Sequence, residues 1–236
     1  MNQWTPPPRP AEYVEQALVS AILEGTFAPG STLPGERDLA VQMGVTRPTL
    51  RAALQRLERE GWVTIHQGKP TQINDFWKQG GLSLLDSLVR YSRDLPAGFI
   101  HHLLEVRLAL APAYTRAAVE CAPAQVQARL ETYQDLADTP EALASFDWTL
   151  HHTLTVVSAN PIYTLILNGF AGFYEEMARL YFQQPEARAS SRAFYAALLE
   201  TARCGDAREA ERLCRVVMAE SITLWERASE GAGPSI

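Results

Sequence analysis

The sequence predicts a mainly α-helical chain: an N-terminal winged helix-turn-helix of three helices and a two-stranded wing, followed by an all-α bundle of six or seven helices. Three observations predict it. Apolar residues recur at helical spacing through most of the chain. Two short strand-like stretches lie together just after the third helix, between Trp62 and Asn74. Proline and glycine then divide the remainder into long helical segments. The 236 residues suit two domains or one large one, and 47% hydrophobic with 20% charged residues is the composition of a globular chain with material for a sizeable core.

Each element has a local cause. From Ala11 to Glu24, residues Val14, Ala17, Leu18, Ala21 and Ile22 fall on one helix face, and Gly25 stops the helix. Pro29-Gly30 makes a turn, and Pro34 stands where a second helix, Gly35 to Met43, begins; Gly44 ends it. Thr46 suits the N-cap of a third helix to about Glu60, striped by Leu50, Ala53, Leu54 and Leu57. Pro48 falls in its first turn, where a missing N–H costs nothing. After Gly61, strands Trp62 to His66 and Pro70 to Asn74 join through Gln67, Gly68 and Lys69 as a hairpin. Later helices are expected at Leu82 to Tyr91, Ala97 to Cys121, Pro123 to Ala137, Pro140 to Ser158, Pro161 to Phe182, Pro185 to Cys204 and Ala207 to Ala228. The expected division is a reader domain at 8–76, a linker at 77–81, a helical domain at 82–228 and a frayed tail at 229–236.

Charge and cysteine usage narrow the function. The net charge of -6 argues against coating nucleic acid or anionic membrane over the whole surface. The acidity sits mainly in the C-terminal part: residues 1–77 hold seven Lys/Arg against eight Asp/Glu, and the rest hold fourteen against nineteen. Between Pro34 and Gln72 the balance is positive by two. Cys121, Cys204 and Cys214 fit no disulfide framework or zinc ribbon, which suits a reducing cytoplasm. The first ten residues, with Pro6, Pro7 and Pro8, lack the pattern of a signal peptide, and no run of about 18 apolar residues suggests a membrane span. A cytoplasmic protein with no membrane partner is expected. No nucleophile elbow, phosphate-binding glycine loop or HExxH pattern occurs, so no enzyme is expected.

The third helix carries Arg47 and Arg51 one turn apart, opposite Leu50 and Leu54, with Thr46 and Thr49 beside them. Guanidinium groups bond guanine bidentately or clamp phosphate, and threonine hydroxyls at a helix start take a phosphate oxygen. Arg37 near the start of the second helix reaches toward the same backbone. Gly68 and Lys69 at the wing tip form a small turn with one cation, suited to the minor groove or its phosphates. Placement at the start of the groove-entering helix, with a wing behind it, favours DNA binding over a merely solvated helix face.

Leu33-Pro-Gly-Glu-Arg-Asp-Leu39, Gly44-Val-Thr-Arg-Pro-Thr-Leu-Arg51 and Leu54-Gln-Arg-Leu57 resemble the winged helix-turn-helix of GntR-type bacterial transcription regulators. Gly61-Trp-Val-Thr-Ile65, Gly68-Lys-Pro-Thr71, Asn74-Asp-Phe-Trp77, Asn160-Pro-Ile-Tyr163, Leu165-Ile-Leu-Asn-Gly169 and Tyr181-Phe-Gln-Gln-Pro-Glu-Ala-Arg188 extend the resemblance to the FadR subfamily over nearly the whole chain. The resemblance implies a homodimer on palindromic operator DNA, with contacts from Arg37, Thr46, Arg47, Thr49, Arg51, Gly68 and Lys69. It also implies an effector, long-chain fatty acyl-CoA, that releases the DNA, and no other cofactor. Repression of fatty acid degradation genes and activation of unsaturated fatty acid synthesis genes are implied with it. Arg107, Tyr181, Ser221 and Trp225 match the subfamily's ligand region.

This chain departs from the pattern at Pro48, where a threonine is expected, and at His66-Gln67, which reverses the wing order. Val217 and Met218 replace a Tyr-Gly pair, and a methionine there is expected to narrow the pocket. Asp147 and His151, at i and i+4, resemble half of the metal site in a sister GntR branch. Completing it needs two histidines on later helices, and none follows His152. The pair is therefore read as a helix-surface or core polar pair, with no metal. Two alternatives stand beside this reading: a GntR-type regulator answering to a metal-bound small carboxylate, and an acyl-CoA carrier without specific DNA binding.

Overall fold

The apolar stripes read from the sequence are buried in the computed structural model, which describes residues 10–92 and 95–231. Contacts divide the chain into two units, Met1–Leu95 and Pro96–Ile236. In the first, α1 (Pro10–Leu23) buries Val14, Leu18, Val19 and Ile22, and α3 (Arg47–Glu60) buries Leu50, Ala53, Leu54 and Leu57 against it. Helix α2 (Glu36–Gln42) packs on α3. Thr46 caps α3 by accepting from the Thr49 N–H at 3.3 Å. The proline then falls in the first turn, as the missing donor requires.

The wing is shorter than the sequence suggests. Strands β1 (Val63–Thr64) and β2 (Gln72–Ile73) pair antiparallel, Val63 with Ile73 and Thr64 with Gln72, instead of spanning Trp62 to His66 and Pro70 to Asn74. The ladder stops because the Ile65 N–H donates to Glu58 Oε1 at 2.8 Å, outside the sheet, and Pro70 has no N–H to give. Thr32 adds a single bridge to Gln72.

By contacts, the segment that follows the wing packs with the first unit. Helices α4 (Phe76–Gln79) and α5 (Ser83–Tyr91) stay with the first unit, which ends after Leu95. The reason is burial: Trp62 is wholly buried, and its indole N–H donates to Ser87 Oγ at 2.8 Å. Leu84 and Leu88 of α5 are buried as well, and Ser20 of α1 donates to the Tyr91 carbonyl. Gly61, in the left-handed region at φ 94°, ends α3; a Cβ there would lie 2.9 Å from the Gly80 Cα. Only glycine allows that approach.

The second unit holds α6 (Phe99–Cys121), α7 (Pro123–Glu131), α8 (Pro140–Val157), α9 (Pro161–Asn168), α10 (Tyr174–Phe182), α11 (Pro185–Cys204) and α12 (Ala207–Gly231). Prolines open α7, α8, α9 and α11 at first-turn positions. Thr139 and Asn160 cap α8 and α9. Helix α6 packs along α12 and against α8, and α10 packs on α8.

Three sequence expectations change here. The single helix expected from Pro161 to Phe182 is two helices, broken at 169–173, where Asn168, Gly169 and Gly172 are poor helix formers and a succession of turns takes over. The helix expected to reach Ala137 ends at Glu131 and tightens into a 3₁₀ turn, Thr132–Asp135; the Thr132 hydroxyl donates back to the Arg129 carbonyl at 2.9 Å. The tail expected to fray from Ser229 is helical as far as Gly231, and Ser229 Oγ donates to the Trp225 carbonyl at 2.9 Å. Residues 1–9 and 232–236 lie outside the described residues.

Ser87→Ala leaves the buried Trp62 N–H without an acceptor. The expected loss of stability is about 1 to 3 kcal/mol, read as an earlier urea midpoint by Trp fluorescence; an unchanged midpoint contradicts the role given to Ser87.

Candidate functional site

In the first unit four of the predicted DNA-facing residues, Thr46, Arg47, Thr49 and Arg51, stand at the N-terminal end of α3. Thr46, Arg47 and Arg51 are exposed, as are Arg37 of α2 and Gly68 and Lys69 at the wing tip; Thr49 is half-buried. Thr46 Oγ1 and Thr49 Oγ1 share a hydrogen bond of 2.8 Å. Gly68 takes φ 71°, which lets the wing turn tightly, and the Lys69 N–H donates to the His66 carbonyl. Arg51 Nε donates to Glu36 Oε2 at 2.6 Å. The sequence reading did not include Glu36. An exposed row of guanidinium and hydroxyl groups at a helix N-terminus, where the dipole and free N–H groups also favour anions, suits contact with a phosphate backbone and base edges.

In the second unit an apolar pocket opens among α6, α9, α10 and the 169–173 turns. Leu103, Val106, Ile166, Phe170, Phe173 and Met177 supply much of its wall. Of the four residues expected to bind ligand, Arg107 and Tyr181 line it. Ser221 is buried and donates to the Met218 carbonyl at 2.7 Å, and Trp225 packs against the cluster of Leu143, Ala144, Tyr181, Phe182 and Ala187; neither lies on the cavity wall. Val217 and Met218 are buried in the main core with Cys214 and Tyr114, and neither lies on the cavity wall.

One side of the cavity meets a buried polar network. Arg107 Nη2 donates to Asp147 Oδ2 at 2.6 Å and to His151 Nε2 at 2.7 Å. Tyr174 donates to Asp147 Oδ2 at 2.7 Å and Tyr195 to Oδ1 at 3.0 Å. Because His151 Nε2 accepts from a guanidinium, the proton sits on Nδ1, which donates to Tyr114 Oη at 2.8 Å. The pair Asp147 and His151 is thus a core pair, 2% and 0% exposed. Both ring nitrogens of His151 are engaged in hydrogen bonds. Among the described residues no three His, Cys, Asp or Glu are grouped to hold a metal ion.

The electrostatics follow from burial. Burial pushes the Asp147 carboxyl up, but the Arg107 charge, His151 and two phenols outweigh it and hold it below the usual range. Burial, then the Arg107 charge, push His151 down to about 3. Arg107 is opposed by burial and held charged by Asp147. Burial raises the phenols of Tyr114, Tyr174 and Tyr195. The network is one cation, one anion and a neutral imidazole, with no surplus charge. Tyr114, Tyr174 and Tyr195 escaped the sequence reading, since aromatic residues at helical spacing look like plain core.

His151 is neutral in the folded chain and takes a proton when unfolded below pH about 6.5. The unfolded state then binds more protons, so stability falls as pH drops below about 6.5 and goes on falling toward the folded value of about 3. His151→Asn, which keeps an acceptor and a donor, is expected to flatten urea stability against pH between 6 and 4 by up to about 1.4 kcal/mol per unit; equal slopes for both proteins exclude this.

Comparison with known proteins places both units. Residues 10–73 match the model of bacterial regulatory proteins of the gntR family, and residues 74–232 match the FadR C-terminal domain. A fatty acid metabolism regulator protein of Shewanella halifaxensis is 41% identical over 217 residues, covering 92% of this chain and 91% of the relative. One from Edwardsiella ictaluri is 41% identical over 225 residues, covering 94% and 93%. The solved structure of Lar, which controls expression of the Listeria monocytogenes agr system, shares the fold at a TM-score of 0.55 and 20% identity, covering 96% of this chain and 99% of that one. With a reader and a helical domain both matched over their lengths, the chain belongs to the GntR family of bacterial transcription regulators, in its FadR branch.

Proposed function

We propose that this protein is a homodimeric DNA-binding regulator of fatty acid metabolism that leaves its operator when a long-chain acyl-CoA enters the cavity of the helical domain. One observation carries the reading: the chain joins an arginine-bearing helix start in its reader to an apolar cavity in a domain of FadR type. On the DNA, Arg37, Arg47 and Arg51 reach base edges or phosphates, and Thr46, Thr49, Gly68 and Lys69 hold the backbone. A single winged helix reads a short half-site, so two-fold pairing on a palindrome multiplies affinity. Work on chromosomal DNA puts the protein in the cytoplasm. It represses fatty acid degradation genes and activates unsaturated fatty acid synthesis genes, according to operator position.

In the cavity, Arg107 and Tyr181 meet the effector directly, and Ser221 and Trp225 support the helices behind it. The charge balance favours a thioester over a free acid. Arg107 is already neutralised by Asp147, so a buried carboxylate would bring an unpaired charge, whereas an acyl chain brings none. The coenzyme portion stays at the opening. A tenfold loss of operator affinity needs about 1.4 kcal/mol of differential binding, within ordinary allosteric coupling.

Two experiments test this. In gel shifts on promoter fragments of fatty acid genes, oleoyl-CoA is expected to release the protein while oleate and coenzyme A do not; retention at saturating oleoyl-CoA, or no fragment bound, overturns the reading. Arg51→Ala is expected to weaken operator binding by about 1 to 3 kcal/mol in anisotropy at fixed salt, with unchanged melting; unaltered affinity removes Arg51 from the contact set.

A further inference from the structure

Arg37 and Arg47 are exposed and their side chains take part in no hydrogen bond or ion pair among the described residues, whereas Arg51 is pinned. Its Nε donates to Glu36 Oε2 at 2.6 Å, across fifteen residues of sequence, from the first position of α2 to the first turns of α3. The Arg51 side chain is 61% exposed and Glu36 27%. An exposed ion pair of this kind adds little to stability, and a carboxylate beside a DNA-facing helix costs affinity for phosphate everywhere. The geometry offers a compensating role. With Nε spent on Glu36, both Nη groups of Arg51 have no hydrogen-bond partner among the described residues, and the pair can bond guanine O6 and N7 side by side.

We propose that Glu36 is a positioning residue that sets the sequence specificity of the reader by aiming Arg51 at a base edge. The proposal rests on the DNA-binding reading above and deepens it. Glu36 acts in two ways. It fixes the long arginine chain before DNA arrives, so less freedom is lost on docking. Its negative charge repels the phosphates that would otherwise draw the guanidinium to the backbone, where it carries no sequence information. A residue that only masked Arg51 would weaken cognate and non-specific binding alike; a positioning residue separates them.

The test compares full-length wild type, Glu36→Gln, Arg51→Ala and the double variant. Each is titrated by anisotropy against a duplex selected from a random pool by the wild-type protein, and against sheared mixed-sequence DNA, at several salt concentrations. Glu36→Gln is expected to lower the ratio of cognate to non-specific affinity about tenfold, with tighter non-specific binding and unchanged melting temperature. In the Arg51→Ala background the same change is expected to leave the ratio as it is. An unchanged ratio for Glu36→Gln, or an equal drop with and without Arg51, overturns the proposal while leaving DNA binding intact. A random pool from which the wild type enriches no sequence overturns the DNA-binding reading and this proposal together. Should Glu36→Gln melt early, Glu36→Ala in the same cycle supplies the comparison, judged by the same ratios.

Discussion

A buried ion pair organises the helical domain. Taking a guanidinium and a carboxylate out of water costs several kcal/mol per ion, and Arg107 and Asp147 offset it through their mutual hydrogen bond and those to neighbouring side chains, while the buried Arg107 Nε has no partner among the described residues. Asp147 obtains its partners from three other helices: Arg107 from α6, Tyr174 from α10 and Tyr195 from α11. His151 closes the set by accepting from Arg107 and donating to Tyr114. One carboxylate therefore fixes the register of four helices, α8 included. The cavity borders this network through Arg107, Tyr114 and Tyr174. Whatever enters meets an apolar wall with a charge-balanced polar set behind it, which favours neutral, chain-like material.

The reader solves the opposite problem. Its stability comes from stripes of Leu and Val buried between α1 and α3 and from the Trp62 indole sealed under α5. That leaves α3 free to expose cations at its start. The charges that matter lie in water, where each is cheap to maintain and available for exchange with phosphate. The overall charge of -6 belongs mostly to the helical domain, so an acidic chain and a cationic reading surface coexist without conflict.

Much of the fold was legible because it is local. The Thr46 cap, the prolines opening α7, α8, α9 and α11, and the stripe of α3 are each specified within a few residues. The exposed cations proposed to meet DNA were legible as exposed for the same reason, since one helix start carries Arg47 and Arg51. Where a neighbour outside the segment decided the outcome, local reading went astray. Ile65 left the ladder for Glu58, seven residues back.

The sequence by itself determined the order of elements, the reader's cationic face and the absence of later histidines to complete a metal site. Only the tertiary structure decided which polar groups close on one another. Asp147 finds Tyr174, Arg107 and Tyr195 at separations of 27, 40 and 48 residues, and Arg51 finds Glu36 at 15. Propensity and periodicity act over a turn or two of chain, whereas a buried charge is satisfied by whatever packing brings to it, and that is set by the whole bundle.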